Sequence, residues 1–316
     1  MIRTEVIIVG GGPAGAACAL RLKQKNVDCL VLDRSPFPRS KPCAGWITPG
    51  VFDLLQIQPE DYPHSLTRFE SFKISLRGAK FHLPARQYAI RRTEFDAWLL
   101  HLADVTLIQH QVETIEKTSN GYRVDGQFEA KYLVGAGGTH CPVRRTCFSF
   151  EPADKSQGLI LAKEEEFRYA FSDDRCHLWF FEEGLPGYSW YVPKAGGWVN
   201  VGIGASAAGL RTRGKTLNEF WERYLEKLDK LGLVRGHPFS PSGYSYYLRS
   251  KALTPSSGKA ILVGDSLRLA TKDMGEGIRA AIQSGLLAAE SITSGKAYSL
   301  ASIPRYSFPS LLGLRK

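Results

Sequence analysis

The chain has 316 residues, 43% of them hydrophobic, and a formal net charge of +10 at pH 7, which predicts a globular protein with one large domain or two interleaved ones. No run reaches the roughly 18 apolar residues of a membrane span, and no hydrophobic secretory block follows Met1, so we expect a cytoplasmic protein. The basic excess favours a nucleotide cofactor or an anionic lipid surface as partner, whereas scattered basic residues without a binding motif argue against nucleic acid. The six cysteines form no CxxC pair and no regular framework, so neither a metal site nor a disulfide scaffold is predicted.

A glycine-rich turn follows the first predicted strand. Residues 5–15 read EVIIVGGGPAG, in which an apolar run precedes Gly10, Gly12 and Gly15 in the GxGxxG spacing. Gly10 permits a tight turn, and Gly12 lets a pyrophosphate approach the backbone. Gly15 lets the next helix, predicted from Ala14 to Lys25, lie close to the strand, and the helix N-terminus then faces the phosphate charge.

The second strand supports the same interpretation. An apolar run, Cys29–Leu32, ends in Asp33, at the distance from the glycine turn where an acid accepts hydrogen bonds from an adenosine ribose. Asp33 argues against a 2′-phosphate, although Arg34 beside it leaves NADP open. Strand, turn, helix, strand and acid in this order predict dinucleotide binding without separating FAD from NAD.

The middle of the chain predicts an antiparallel sheet. Between residues 158 and 205, apolar runs at 178–181, 188–192 and 198–203 alternate with turn residues. Alternation places Tyr188, Trp190 and Val192 on one face of a strand, either as an apolar wall of a binding site or as part of an ordinary sandwich core. A capping box at Thr216 and Glu219 predicts the start of an amphipathic helix.

A strand and a helix are predicted near the end of the chain. Residues 260–263 form a short apolar run before Gly264-Asp265, and residues 277–292 have the apolar spacing of a helix with one buried face. Alone, Gly264-Asp265 is typical of any strand-to-turn junction. The glycines at 275 and 277 precede the helix, whose N-terminus would favour negative charge.

Taken together, the motifs resemble those of the glutathione-reductase-type flavoproteins, in their hydroxylase-like branch, and most closely the geranylgeranyl reductase family. The likeness lies in the glycine turn, KPCAGW at 41–46, RTEFD at 92–96, YLVGAGG at 132–138, YSWYVP at 188–193 with GIG at 202–204, and GD at 264–265 with GEGI at 275–278. The resemblance implies an α/β fold, in which a discontinuous Rossmann-like FAD-binding domain carries an inserted antiparallel β-sheet substrate domain. The implied divisions are 1–70, 88–150 and 253–295 for FAD, 71–87 and 151–252 for substrate, and 296–316 as a short tail.

The resemblance also implies the cofactor and its contacts. A returning Gly-Asp segment favours FAD over NAD, with Asp265 at the ribityl chain or pyrophosphate. Arg92, or Arg91 beside it, would reach the phosphates, the Val112 backbone would meet the adenine, and Cys43 would lie near the isoalloxazine ring. The implied cofactor-binding residues are Gly10, Gly12, Pro13, Ala14, Gly15, Asp33, Arg34, Cys43, Ala44, Arg92, Val112, Gly264, Asp265, Gly275, Gly277 and Ile278.

The implied activity is reduction of an apolar, isoprenoid-like substrate by hydride transfer from reduced flavin. Cys43, Tyr188 and Trp190 are the implied catalytic or pocket residues, and Cys43 is otherwise an ordinary buried cysteine. Where the family has Asp-Gly, this chain has Gly137-Gly138, which weakens the case for direct reduction by NAD(P)H and leaves room for ferredoxin or another donor. Ala44 and Val192 also depart from the family motifs, where glycine and phenylalanine stand.

Two other functions stay open at this point. One is a flavin-dependent monooxygenase or halogenase, which shares this branch of the fold and an aromatic-x-Trp motif. The other is a non-catalytic flavin-binding protein. The basic charge and the LLGLRK ending at 311–316 permit peripheral contact with an anionic membrane. The sequence leaves the substrate, the electron donor and the oligomeric state open.

Overall fold

A computed structural model describes residues 1–149, 158–249 and 254–308 of the chain. These residues divide into two compact units, each assembled from separate stretches of sequence. The first unit comprises Met1–Arg39, Thr93–Asp154 and Tyr247–Ser307, and the second comprises Ser40–Arg92, Lys155–Tyr246 and Phe308–Lys316. Across the described residues, no helix combines the length and apolar character needed to cross a membrane.

The strands and helices follow one another along the chain in a fixed order. They are β1 (Ile2–Val9), α1 (Pro13–Gln24), β2 (Cys29–Asp33), β3 (Trp46–Ile47), α2 (Gly50–Leu55), β4 (Thr67–Leu76), β5 (Ala79–Ala89), α3 (Arg92–Ala103), β6 (Thr106–Gln109), β7 (Ile115–Lys117), β8 (Tyr122–Val124), β9 (Phe128–Gly135), α4 (Pro142–Cys147), β10 (Leu159–Arg168), β11 (Cys176–Phe180), β12 (Gly187–Lys194), β13 (Trp198–Ser206), α5 (Ala207–Thr212), α6 (Leu217–Lys230), β14 (Ser242–Tyr247), β15 (Ser256–Ser257), β16 (Ala260–Leu262) and α7 (Ile278–Ser294).

A parallel sheet forms the centre of the first unit. Its strand order is β15-β16-β9-β1-β2-β6; β15 runs antiparallel to β16, and β7 and β8 extend the sheet from β9. The central strands are continuous apolar runs because helices cover parallel strands, and Val6–Val9 are fully buried. The carboxyl ends of β16, β9, β1, β2 and β6 share one edge of this sheet, the usual position of ligands in such folds.

A second sheet forms the centre of the other unit. Its order is β14-β10-β13-β12-β11-β4-β5-β3, antiparallel throughout its centre except that β4 and β11 run parallel. Helix α6 packs on one face through Phe220, Trp221 and Tyr224, and it begins at the capping box formed by Thr216 and Glu219. The predicted fold class, a Rossmann-like α/β domain with an inserted antiparallel sheet, is confirmed.

The two units differ from the predicted domains in where residues 40–70 belong. The resemblance assigns these residues to FAD binding, whereas by contacts within the chain they belong to the second unit, where β3 pairs with β5 and β4 with β11. The divisions 1–70, 88–150 and 253–295 concern which segments hold the cofactor, and in that sense they stay a prediction. The ending at 311–316 lies outside the described residues.

Candidate functional site

The glycine turn of the first unit has the geometry that its spacing predicts. Gly10 has a φ of +112°, and a Cβ there would lie 2.4 Å from the Ala136 carbonyl oxygen. A Cβ at Gly15 would lie 1.9 Å from the Gly10 carbonyl oxygen, so α1 can start this close to β1 only with glycine. Gly12, the N-cap of α1, is open on its Cα side, where the nearest atom to an added Cβ is Arg39 Nη2 at 3.5 Å.

Asp33 lies beside this turn, at the end of β2. Its Oδ2 accepts a hydrogen bond from the Gly11 N–H at 2.8 Å, and its Oδ1 accepts one from the Ser35 N–H at 3.0 Å. Arg39 Nη2 lies 4.0 Å from Asp33 and 3.9 Å from Asp96, which holds a cation next to Gly12. A carboxylate has about four acceptor positions, so Asp33 keeps capacity for ligand hydroxyls. Arg34 is exposed.

The segment after β6 presents Val112 at the same sheet edge. The His110 N–H donates to the Asp33 carbonyl at 2.7 Å, so this segment starts beside the end of β2. The Asp125 carboxylate then holds it, accepting hydrogen bonds from the Thr114 N–H at 2.6 Å, the Thr114 hydroxyl at 2.9 Å and His110 Nε2 at 2.7 Å. Within residues 1–149, 158–249 and 254–308, the Val112 backbone N–H has no hydrogen-bond partner, as an adenine contact requires.

Asp265 follows β16 at this edge, in a short 3-10 turn over Gly264–Leu267. The Gly264 N–H donates to the buried Ser284 hydroxyl of α7 at 2.9 Å, which fixes the turn against that helix. Among the described residues, none donates a hydrogen bond to the half-buried Asp265 carboxylate. Gly275 comes just before α7, Gly277 is its N-cap and Ile278 is its first residue.

These features fit a dinucleotide. The N-termini of α1 and α7 lie at one sheet edge, where helix N-termini favour negative charge, although at α7 the Arg279 N–H already donates to Glu276 Oε1 at 2.8 Å. Gly12 leaves the approach to α1 open, and Val112 and Asp265 offer a donor and an acceptor with no partner in the part of the chain described. A cofactor with a pyrophosphate between two polyhydroxyl groups needs this combination of groups.

In the second unit, the Trp190 side chain lies over β13. Gly202 pairs directly with Trp190 of β12 and with Glu164 of β10, so the three residues form one row across three strands. A Cβ at Gly202 would lie 2.2 Å from the Trp190 indole ring and 2.8 Å from Glu164 Cβ. The first glycine of the GIG motif is therefore required because the indole occupies the space above it.

The face that carries Trp190 is not the core of this unit. Val199, Val201 and Ile203 of β13 point to the other face and pack with Tyr191 in the cluster that α6 covers. The Trp190 face instead carries aromatic rings beside buried polar groups. The ring centroid of Tyr188 lies 5.1 Å from that of Phe180 and 5.6 Å from that of Trp190. The Trp190 Nε1–H donates a hydrogen bond to the buried Asn200 side-chain oxygen at 2.7 Å. A sandwich core would not bury these polar groups, so the geometry favours the binding-wall interpretation.

The KPCAGW loop lies on this same face. The Cys43 N–H donates to Glu164 Oε1 at 2.5 Å, and the Asn200 side-chain amide donates to the Cys43 carbonyl at 3.4 Å. The Gly45 N–H donates to Cys43 Sγ at 3.4 Å. Cys43 and Ala44 are half-buried, and their backbone is thus fixed by side chains of β10 and β13.

Glu164 is a buried acid in this arrangement. It is 4% exposed, and burial raises its pKa to about 7, an effect that Lys194, the Cys43 N–H and the Asn200 amide partly offset. Tyr244 of β14 is close to both Glu164 and Cys43, and burial raises the pKa of its phenol. A carboxyl group that titrates near neutral pH beside a thiol is a feature of functional sites.

A buried cluster of charged side chains lies near Glu164. Lys194 Nζ lies 2.5 Å from Glu166 Oε2, and Arg91 Nε lies 2.9 Å from Glu166 Oε1. The Arg91 guanidinium also stacks on Trp198, 3.6 Å from the ring centroid. These contacts engage the Arg91 side chain with Glu166 and Trp198, whereas Arg92 is the buried first residue of α3, and the role of either arginine at the phosphates stays a prediction.

Several functional candidates were not apparent from the sequence. Arg39, Glu164, Asn200 and Tyr244 belong to no motif, and Glu164 lies within the run KEEEF, whose charges alternate between two faces. The signal that finds them is burial of a polar side chain next to a motif. The predicted roles of individual residues stay predictions.

Known proteins match both the sequence and the fold. The family described as FAD dependent oxidoreductase (DAO) matches residues 5–103. The menaquinone reductase of Mycolicibacterium smegmatis is 28% identical over 98% of this chain and 80% of its own. Digeranylgeranylglycerophospholipid reductase 1 of Methanopyrus kandleri is 27% identical over 90% of this chain and 79% of its own.

The solved structures agree with these sequence matches. A geranylgeranyl bacteriochlorophyll reductase-like protein from Thermoplasma acidophilum has a TM-score of 0.80 at 21% identity, covering 93% of this chain and 79% of its own. The glycine turn, the acid at 33 and the returning turn at 264–265 have the geometry that an FAD site needs. The chain is an FAD-dependent oxidoreductase, similar to the geranylgeranyl reductases.

Proposed function

We propose that the protein reduces a carbon–carbon double bond of an apolar, isoprenoid-like substrate. The observation that carries this proposal is the Trp190 face of the second unit, where an aromatic surface adjoins a buried acid and a thiol. An apolar chain needs the aromatic surface, and protonation of the carbon next to the one that receives the hydride needs the thiol. Relatives named for menaquinone and for geranylgeranyl lipids support a substrate of this class.

The first unit would hold the cofactor. FAD supplies a hydride equivalent when bound and reduced, and the chain positions it and excludes water. Gly12, Pro13 and Ala14 would receive the pyrophosphate at α1, while Gly10 and Gly15 shape that turn. Arg92, which belongs to the second unit, is the cation that the resemblance implies for the phosphates. Asp33, with Arg34 beside it, would bind the ribose, and the Val112 backbone would bind the adenine. Gly264, Asp265, Gly275, Gly277 and Ile278 would bind the ribityl chain and the pyrimidine end.

The second unit would hold the substrate. Tyr188 and Trp190 would form the wall against the apolar chain, and Trp190 would act through its ring face because Asn200 occupies its N–H. The Cys43 thiol would donate the proton, with Ala44 beside it against the cofactor. Glu164, Asn200 and the Gly45 N–H hold the thiol-bearing loop in one position.

Turnover of geranylgeranyl lipids by the reduced protein tests this proposal. We expect mass spectrometry to find hydrogen added across a double bond, with dithionite as a donor that bypasses the physiological one. Reduced flavin that leaves every lipid unsaturated would overturn the proposal. Oxygenated or halogenated product would instead support a monooxygenase or halogenase, and a yellow protein that no donor reduces would support a non-catalytic flavin-binding protein.

The departure from the family motif at residues 137 and 138 bears on the electron donor. The family has Asp-Gly where this chain has Gly137-Gly138, and the loss of that one acid favours ferredoxin over NAD(P)H as the direct donor. Anaerobic stopped-flow spectra should show fast bleaching of the flavin with reduced ferredoxin and slow bleaching with NADPH. The reverse order would contradict this part of the proposal.

Peripheral contact with an anionic membrane would bring such a lipid to the protein. Three exposed hydrophobic side chains of the second unit support it, Leu76, Phe81 and Phe181, and the Arg77 guanidinium lies 5.9 Å from the Phe181 ring centroid. Sedimentation with phosphatidylglycerol vesicles should carry the protein down, and with phosphatidylcholine vesicles it should not. Equal binding to both, or to neither, would contradict an electrostatic contact.

A further inference from the structure

The two carboxylate oxygens of Glu164 have unequal surroundings. Oε1 accepts the Cys43 N–H at 2.5 Å. Oε2 is buried and has no hydrogen-bond partner among the described residues. An acceptor buried without a donor is costly while the group is charged, whereas a proton on that oxygen removes most of the cost.

Within the second unit, the groups around Glu164 come from five parts of the chain. Cys43 belongs to the loop before β3, Lys194 to β12, Glu166 to β10 itself and Tyr244 to β14, and Asn200 of β13 adds a neutral amide. The positive charge of Lys194 is shared with Glu166, to which it is directly paired at 2.5 Å. Glu166 is also paired with Arg91 at 2.9 Å, so two cations lie near two acids here, and burial outweighs the attraction of Lys194 in setting the pKa of Glu164.

We propose that Glu164 is a positioning residue for Cys43, and that uptake of a proton at Oε2 loosens the loop that carries the thiol. The ionised carboxylate accepts the Cys43 N–H in a charge-assisted hydrogen bond, which is stronger than the bond to a neutral carboxyl. The loop is thus held more firmly above the pKa of Glu164 than below it. The inference deepens the proposed function, since it concerns the thiol assigned there as proton donor.

The test measures alkylation of Cys43 by iodoacetamide between pH 5.5 and 8.5, read by peptide mass spectrometry so that the half-buried Cys147 is counted separately. A thiol without a titrating neighbour gives a logarithmic rate that rises linearly with pH until the thiol itself ionises. In the wild type we expect an additional inflection in this profile near pH 7, where the pKa of Glu164 lies. Because the loop is looser below that pH, the alkylation rate there should exceed the rate extrapolated from higher pH by on the order of fivefold.

Two variants of β10 make the test specific. Glu164→Gln keeps an oxygen that can accept the Cys43 N–H but cannot titrate, so the inflection should disappear. Glu165→Gln is the matched control, because Glu165 points to the opposite face, where it accepts from Ser240 N at 2.6 Å and contacts His237 at 2.9 Å. It should keep the wild-type profile. An inflection that persists in Glu164→Gln, or is missing from the wild type, overturns the proposal.

A second measurement does not depend on either variant folding. Infrared difference spectra of the wild type between pH 8 and 6 should show the C=O stretch of a protonated, buried carboxyl group as the pH falls through 7. If this band is absent, the proposal is overturned. Both measurements are independent of turnover, so lipid reduction can fail while the inflection is present, which would reject the proposed function and leave this inference standing.

Discussion

Backbone groups form the candidate site of the first unit, whereas side chains form that of the second. At the glycine turn, the functional requirement is space and free N–H groups, which Gly10, Gly12 and Gly15 provide by lacking a side chain. On the Trp190 face, the requirement is a set of buried polar atoms that satisfy one another, as Glu164 and Asn200 do for Cys43. A backbone site is encoded within a few consecutive residues, but a side-chain site depends on strands far apart in the chain.

The strongest test of the backbone site separates two glycines of one motif. Gly15→Ala places a methyl group 1.9 Å from a carbonyl oxygen that cannot move freely, so we expect the free energy of unfolding to fall by more than about 3 kcal/mol, with FAD lost. Gly12→Ala meets nothing closer than 3.5 Å and should leave the melting temperature of the apoprotein unchanged while weakening FAD binding at least about tenfold.

Thermal unfolding of both apoproteins, followed by fluorescence titration with FAD, measures these effects. Equal melting temperatures for the two variants would mean that Gly15 does not control the packing of α1. Unchanged FAD affinity in Gly12→Ala would remove that glycine from the proposed phosphate site.

In the side-chain site, the buried carboxyl group of Glu164 should make the stability of the protein depend on pH. Burial raises the pKa of Glu164 from 4.5 to about 7, so the folded state binds more protons than the unfolded state between those values, and stability falls as the pH rises through that window. Glu164→Gln removes this loss. We expect it to be more stable than the wild type by about 3 kcal/mol at pH 8 and equal to it near pH 4.5.

Urea denaturation at a series of pH values checks the prediction, with Glu165→Gln as the variant that should not change the slope. A stability difference that is constant across the pH range would show that Glu164 does not titrate in the folded protein.

The next test asks whether the GIG motif belongs to Trp190. Gly202→Ala would place a methyl group 2.2 Å from the indole ring, so the ring must move and its hydrogen bond to Asn200 must break. We expect the free energy of unfolding to fall by about 2 kcal/mol. Gly204→Ala is the control, because its Cβ would lie an ordinary 3.6 Å from the same ring. Tryptophan fluorescence should shift for Gly202→Ala alone, and a shift in both variants would contradict the assignment.

The same contrast explains what could be predicted from the sequence. The turn at Gly10, the acid at 33 and the helix start at 277 were predictable because each depends on local chain geometry. The β12 strand was predicted too, but alternation along Tyr188–Pro193 gives two faces without showing which one α6 covers. That choice depends on Val199, Val201 and Ile203 of another strand. Glu164 was not found because three consecutive glutamates are typical of an exposed strand. Only the pairing of β10 with β13 shows that the first of them is buried while the next two are half-buried.

The smallest expected effect concerns Asp265, whose position is fixed by backbone contacts but whose proposed role depends on its side chain. Asp265 follows a backbone turn fixed by Ser284, yet its own carboxylate accepts no hydrogen bond from the described residues, so the fold gains nothing from its charge. Asp265→Asn should therefore leave apoprotein stability within about 0.5 kcal/mol of the wild type. It should weaken FAD binding about tenfold, because a charged acceptor for ligand hydroxyls becomes a neutral one. Asp33→Asn is the informative comparison: its carboxylate accepts from the Gly11 N–H, so this variant should lose apoprotein stability as well as FAD affinity. Calorimetric titration with FAD, beside melting curves without it, would distinguish the two residues, and equal loss of apoprotein stability in both variants would show that Asp265 supports the fold rather than the cofactor.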